Sequence, residues 1–104
     1  MEDFKEPLVL VADSGSTKTD WCLFSDGKTI VRFSTQGINP FHQREDTIRD
    51  IVGKELHTAI DGAVGLLSQV SSIRFYGAGC RGDAADSLRS ILLEAFPGCS
   101  DVFV

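Results

Sequence analysis

Cysteine, histidine and clustered positive charge are all scarce in this sequence. Its three cysteines, Cys22, Cys80 and Cys99, form no C-x-x-C pair, and His42 and His57 stand alone. A zinc or iron–sulfur centre needs more thiolates or imidazoles at ligand spacing, which excludes a metal cage. An odd set of unpaired thiols points instead to reduced cysteines and a cytoplasmic setting. Ten Lys and Arg are set against fifteen Asp and Glu, a net charge of −5, with no basic cluster. That balance argues against nucleic acid as a partner and against an anionic membrane surface. Long apolar runs are missing as well. The longest, residues 8–12, has five residues, where a membrane helix needs about 20. Met1-Glu2-Asp3 is acidic where a secretory signal begins basic and then turns greasy.

What remains is a soluble, single-domain composition: 104 residues, 42% hydrophobic and 24% charged, enough to bury roughly 65% of the unfolded surface in one core. Residues 7–12 read as a buried strand, short, apolar and rich in Val and Leu. Residues 13–18 read as a tight polar turn, 19–25 as a second strand and 28–35 as a third. Asp26-Gly27 joins the last two, because both residues tolerate positive φ. A loop over 36–42 carries Gly37 and Pro40. A helix is expected over 44–58, with Ile48, Ile51, Val52 and Leu56 on one face and Gly53 weakening it slightly. Asp61 is expected to cap a shorter helical segment through Ala63, Val64, Leu67 and Val70. Strand character returns over 72–76, a glycine-rich loop covers 77–82, and a strong amphipathic helix spans 83–96 before Pro97-Gly98 ends it. A last strand begins at Asp101.

The order β-β-β-α-β-α-β is that of a mixed sheet flanked by helices, an α/β ribonuclease H-like half-domain. Because the chain stops on the apolar Val102-Phe103-Val104, residues 1–104 are expected to be one lobe of a longer protein.

The chemically informative segment is Asp13-Ser14-Gly15-Ser16-Thr17-Lys18-Thr19. Gly15 allows a ligand close to the backbone, and successive amide N–H groups in such a turn can form an anion-binding nest. Ser14, Ser16, Thr17 and Thr19 add hydroxyls and Lys18 adds a cation. Asp13, at the strand exit, is placed to hold Mg²⁺ through water. It is not a Walker A loop, since a strand follows instead of a helix. The plain alternative is an ordinary Gly/Ser hairpin turn.

Residues 9–24, VLVADSGSTKTDWCLF, resemble the first phosphate motif of the actin-like ATPase and sugar kinase superfamily. Within it the sequence is most similar to the BadF/BadG/BcrA/BcrD-type ATPase family, which includes N-acetylglucosamine kinase. The likeness continues through Gly37-Ile38-Asn39-Pro40 and Tyr76-Gly77-Ala78-Gly79. It implies a two-lobed fold with ATP in the cleft, this chain being the N-terminal lobe and inactive alone. It implies that Asp13 organises Mg²⁺, that Ser14 through Thr19 form the ATP-phosphate turn, and that Asn39, Gly79 and Cys80 lie on the sugar side. Family members of the kinase type carry a proton-accepting aspartate after Gly79. Here Cys80 stands there, and the nearest carboxylate is Asp83, which takes the base role if the loop folds back and caps the next helix if it does not. The resemblance also places a substrate-side aspartate just beyond the last strand, and leaves a homodimer of the full-length protein as an expectation.

The leading expectation is therefore ATP-dependent phosphorylation of a carbohydrate, an amino sugar such as N-acetylglucosamine. A family ATPase that drives a protein partner is the alternative. A two-metal nuclease needs several converging carboxylates, and the fourth strand ends in Gly77-Ala78-Gly79 with none. A sensor that binds a sugar or nucleotide without catalysis would use the same loops.

Overall fold

The computed structural model describes residues 7–60 and 64–104. The expected cap Asp61 and its neighbour Ala63 lie outside the described residues. Five strands form one sheet in the order β3-β2-β1-β4-β5: β1 Leu8–Ser14, β2 Lys18–Ser25, β3 Lys28–Gln36, β4 Val70–Gly77 and β5 Asp101–Phe103. The first three run antiparallel as a meander, and β4 and β5 lie parallel to β1. This is the half-domain layout expected from the order of elements.

Alternation along the strands sorts the sheet into two faces. Leu8, Leu10 and Ala12 of β1, Trp21 and Leu23 of β2, and Ile73 and Phe75 of β4 are buried in one cluster. The helices supply its other half. Helix α1 (Glu45–Asp50), a π-helical segment (Ile51–Glu55) and α2 (Leu56–Ile60) follow one another directly, and α4 (Gly82–Ala95) packs beside α1. Ile48, Ile51, Val52, Leu56, Leu88, Ile91 and Leu92 are their buried positions. The π segment is a departure from the single α-helix expected over 44–58. It contains Gly53, where an added Cβ would meet nothing, and Ile51, Val52, Leu56 and Ile60 in and after it are all buried in the core.

Element boundaries also shift. Strand β1 runs two residues past Ala12, because Asp13 and Ser14 pair on both sides, with Asp20 and Thr19 of β2 and with Tyr76 and Gly77 of β4. Val70, expected in a helical segment, opens β4 opposite Leu8. Among the described residues the short helix α3 spans Val64–Leu67. The Asp26-Gly27 turn has the expected geometry, with φ of 51° and 72°.

Candidate functional site

The site is organised by the short bend between β1 and β2. Its closing hydrogen bond runs from Gly15 N to Lys18 O, 2.8 Å. Gly15, Ser16, Thr17 and Lys18 are exposed, and the hydroxyls of Ser16 and Thr17 make no hydrogen bond within the described residues. Lys18 touches Asp20 at 3.5 Å, with both side chains more than half exposed, a pair weak enough to open for an anion. The bend therefore exposes two hydroxyls, on Ser16 and Thr17, and the cation of Lys18.

Ser14 and Thr19 face the other way. Thr19 is fully buried and lies on the same face of β2 as Trp21. Its Oγ1 donates to Gln36 O at 3.1 Å and sits 2.9 Å from Ser14 Oγ. Ser14 Oγ in turn accepts from Ile38 N at 2.8 Å and reaches Ile38 O at 2.9 Å. The two hydroxyls expected to face phosphate are therefore clamps that tie the bend to the loop after β3.

That loop is packed onto the bend without room to spare. Gly37 N donates to Thr17 O at 3.2 Å, and a Cβ on Gly37 would come within 2.6 Å of Gly15 O. Gln43 braces the loop from below: its Oε1 accepts from Asn39 N at 2.7 Å and its Nε2 donates to Gly37 O at 2.9 Å. Asn39 Oδ1 accepts from Phe41 N and His42 N at 3.0 and 3.3 Å. The loop after β4 completes the enclosure. Gly79 has φ +78°, and a Cβ there would overlap Asn39 Oδ1, so Gly79 makes room for Asn39. Ser14, Gly15, Ser16, Gly37, Ile38, Asn39, His42, Gln43 and Ala78 together line a cavity of about 390 Å³, within the size range of small-molecule sites. All three motifs singled out in the sequence meet there.

Asp13 lies on the opposite face of the sheet. It lines a more open groove of about 550 Å³ that also includes Val11, Asp20, Cys22 and Phe24. Asp20 stands directly across from it in the ladder and is held by Ser34 Oγ at 2.9 Å. Asp13 is exposed and makes no hydrogen bond or ion pair among the described residues. The bend thus separates two hollows, one with a free carboxylate and one with Asn39.

The two candidates for proton acceptor are placed less favourably. Cys80 is half-buried against the core, and burial pushes its thiol above the ordinary range, so less of it is thiolate at neutral pH than in a free cysteine and it is less available to accept a proton. Asp83 is exposed in the first turn of α4 and is not part of the cavity lining. Nor does it cap the helix, since Arg81 holds the N-cap position. The lining itself contains no carboxylate. Gln43 was not singled out from the sequence. Its four-residue spacing from Asn39 was visible, but in an irregular loop such spacing carries no expectation of contact.

A solved structure described as the "putative N-acetylglucosamine kinase" of Porphyromonas gingivalis matches 90% of this chain at 40% identity, with a TM-score of 0.81. The chain spans 32% of that protein's length. No protein-family model matches the chain, nor does any curated protein. Identity of this level over nine-tenths of the chain makes the two proteins homologous, and the shared architecture is the actin-like ATPase half-domain.

Proposed function

We propose, from the premise that this chain is N-acetylglucosamine kinase-like and carries an actin-like ATPase half-domain, that it is the N-terminal lobe of an ATP-dependent kinase. Its substrate is a carbohydrate, an amino sugar such as N-acetylglucosamine, and its setting is the cytoplasm. Among the described residues no helix is long and apolar enough to cross a membrane. The observation that carries the reading is the meeting of the bend, the Asn39 loop and the Gly77–Gly79 loop around one cavity, with Asp13 on the far side of the same bend.

Phosphoryl transfer asks the protein chiefly for positioning and charge stabilisation. Ser16 and Thr17 supply exposed hydroxyls and Lys18 an exposed ammonium for the phosphates, on a bend that Gly15 closes. Asn39 supplies a side-chain amide for the sugar. Ser14 and Thr19 hold these two groups in fixed relation. An Mg²⁺ ion fits Asp13, a free hard oxygen ligand. A single protein carboxylate suits an ion that keeps most of its waters. When bound, the ion supplies charge neutralisation at the transferred phosphoryl group.

The placement of Asp83 outside the lining and of Cys80 as a half-buried thiol keeps a second reading beside the kinase, an ATPase coupled to a protein partner. In the kinase reading the proton acceptor comes from outside the cavity lining. ATP turnover by the full-length protein decides between them. A rise with added N-acetylglucosamine and appearance of a sugar phosphate support the kinase; turnover indifferent to sugars but responsive to a protein partner supports the ATPase. The 104 residues alone should show no sugar phosphorylation.

A further inference from the structure

The Asn39 loop has no regular secondary structure, yet it carries the amide assigned above to the sugar. Two backbone donors, Phe41 N and His42 N, both point at Asn39 Oδ1. This fixes which end of the amide is oxygen, because an NH₂ group cannot accept them. The Nδ2 group is left with no partner among the described residues, on a residue that lines the cavity. Ser14 pins the loop at Ile38, and a second side chain holds the residues on either side of it. Gln43 uses both ends of its amide on loop backbone, accepting from Asn39 N and donating to Gly37 O, and its own N–H donates to Asn39 O at 2.9 Å. Gly37 is in turn the residue pressed against the bend. Gln43 therefore spans the two ends of the loop, one resting on the phosphate bend and one presenting Asn39.

We infer that Gln43 is a positioning residue for the acceptor substrate: it holds the Asn39 amide at the cavity so that the sugar, and not the nucleotide, depends on it. This rests on the kinase reading and on Asn39 as a sugar contact. Removing the Gln43 amide leaves Asn39 N and Gly37 O without their side-chain partners and loosens the loop at Asn39, while Ser14 still pins Ile38 to the bend.

The test is steady-state kinetics of the full-length protein with N-acetylglucosamine and Mg-ATP, comparing wild type with Gln43→Met, Gln43→Glu and Asn39→Ala. Methionine keeps the length of the side chain and removes both polar ends. Glutamate keeps the acceptor for Asn39 N and loses the donor to Gly37 O. The expected result for Gln43→Met is a sugar KM raised about tenfold, with kcat and the ATP KM changed less than about twofold. Gln43→Glu should fall between Gln43→Met and wild type, and Asn39→Ala should raise the sugar KM at least as far. An unchanged sugar KM in Gln43→Met beside a raised one in Asn39→Ala overturns the role of Gln43 alone. An ATP KM that rises as far as the sugar KM also overturns it, since the residue would then be supporting the whole site. A sugar KM unmoved by Asn39→Ala overturns the sugar contact itself. Should Gln43→Met fail to fold, Gln43→Glu carries the same comparison.

Discussion

The hydroxyl of Ser14 stands 2.8 Å from the backbone nitrogen of Ile38 and 2.9 Å from its carbonyl oxygen, across 24 positions of sequence. Both residues are buried, so the contact replaces water that cannot reach these groups. Ser14→Ala should cost about 1–3 kcal/mol, the penalty for leaving a buried N–H unpaired. Urea denaturation measures it. A loss under about 0.5 kcal/mol would mean that the loop finds another partner for Ile38.

Gly15 and Gly37 make a contrasting pair. A Cβ on Gly37 meets Gly15 O at 2.6 Å and Ser16 O at 3.2 Å, both backbone atoms that cannot swing aside. Gly37→Ala should therefore cost about 1–3 kcal/mol of stability and displace the bend. A Cβ on Gly15 meets only Lys18 O, at an ordinary 3.7 Å. Gly15→Ala should leave stability within about 0.5 kcal/mol of wild type while weakening Mg-ATP binding by the full-length protein roughly tenfold, because the added methyl stands where a phosphate would approach. Equal nucleotide affinity in Gly15→Ala would remove the bend from the phosphate site.

The meander, the Asp26-Gly27 turn and the position of the glycine loops were legible because each is a local signal: alternation, a positive-φ dipeptide, a break in apolar pattern. The length of β1 was not. Asp13 and Ser14 look like turn residues until β4, more than fifty residues away in sequence, offers Tyr76 and Gly77 as partners. The place of Val70 in β4 opposite Leu8 is equally non-local. Thr19 is different, because its orientation could have been read. It lies two residues before Trp21 and four before Leu23, so a period of two puts all three on the buried face. Its hydroxyl drew it into the list of phosphate donors, while strand geometry had already assigned it to the core. The π segment around Gly53 left no mark in the sequence, since Ile48, Ile51, Val52 and Leu56 already share one face of a regular α-helix.

Cys80 should behave as a protected thiol. Burial raises its pKa, so the folded protein holds the proton where an unfolded thiol, ionising near about 8.5, releases it. The unfolded state then binds fewer protons as pH climbs past that value, and stability falls. Between pH 7 and 9.5 wild type should lose more stability than Cys80→Ser. The same thiol should react with iodoacetamide more slowly than a free cysteine at pH 8, as followed by peptide mass mapping. Faster reaction would indicate a thiolate and reopen Cys80 as a base.

Asp83 should prove dispensable for chemistry. It is exposed in the first turn of α4, where a carboxylate favours the positive end of the helix. Asp83→Asn should cost about 0.3–1 kcal/mol of stability and leave the kcat for sugar phosphorylation within about twofold. A fall of a hundredfold or so would make it the proton acceptor.

Asp13 offers the sharpest separation of function from folding. Its carboxylate is exposed, has no partner among the described residues, and stands opposite Asp20 in the ladder. Like charges directly across a strand pair repel, so Asp13→Asn should leave stability unchanged or raise it by about 0.2–1 kcal/mol. If the same carboxylate holds the magnesium of Mg-ATP, turnover by the full-length protein should fall by roughly 10²–10³-fold, and the remaining activity should require more Mg²⁺ to saturate. The two measurements point in opposite directions, which a variant that merely damages the fold cannot imitate. Turnover and Mg²⁺ dependence equal to wild type would place the ion elsewhere and leave Asp13 as an unexplained charge on the open face of the sheet.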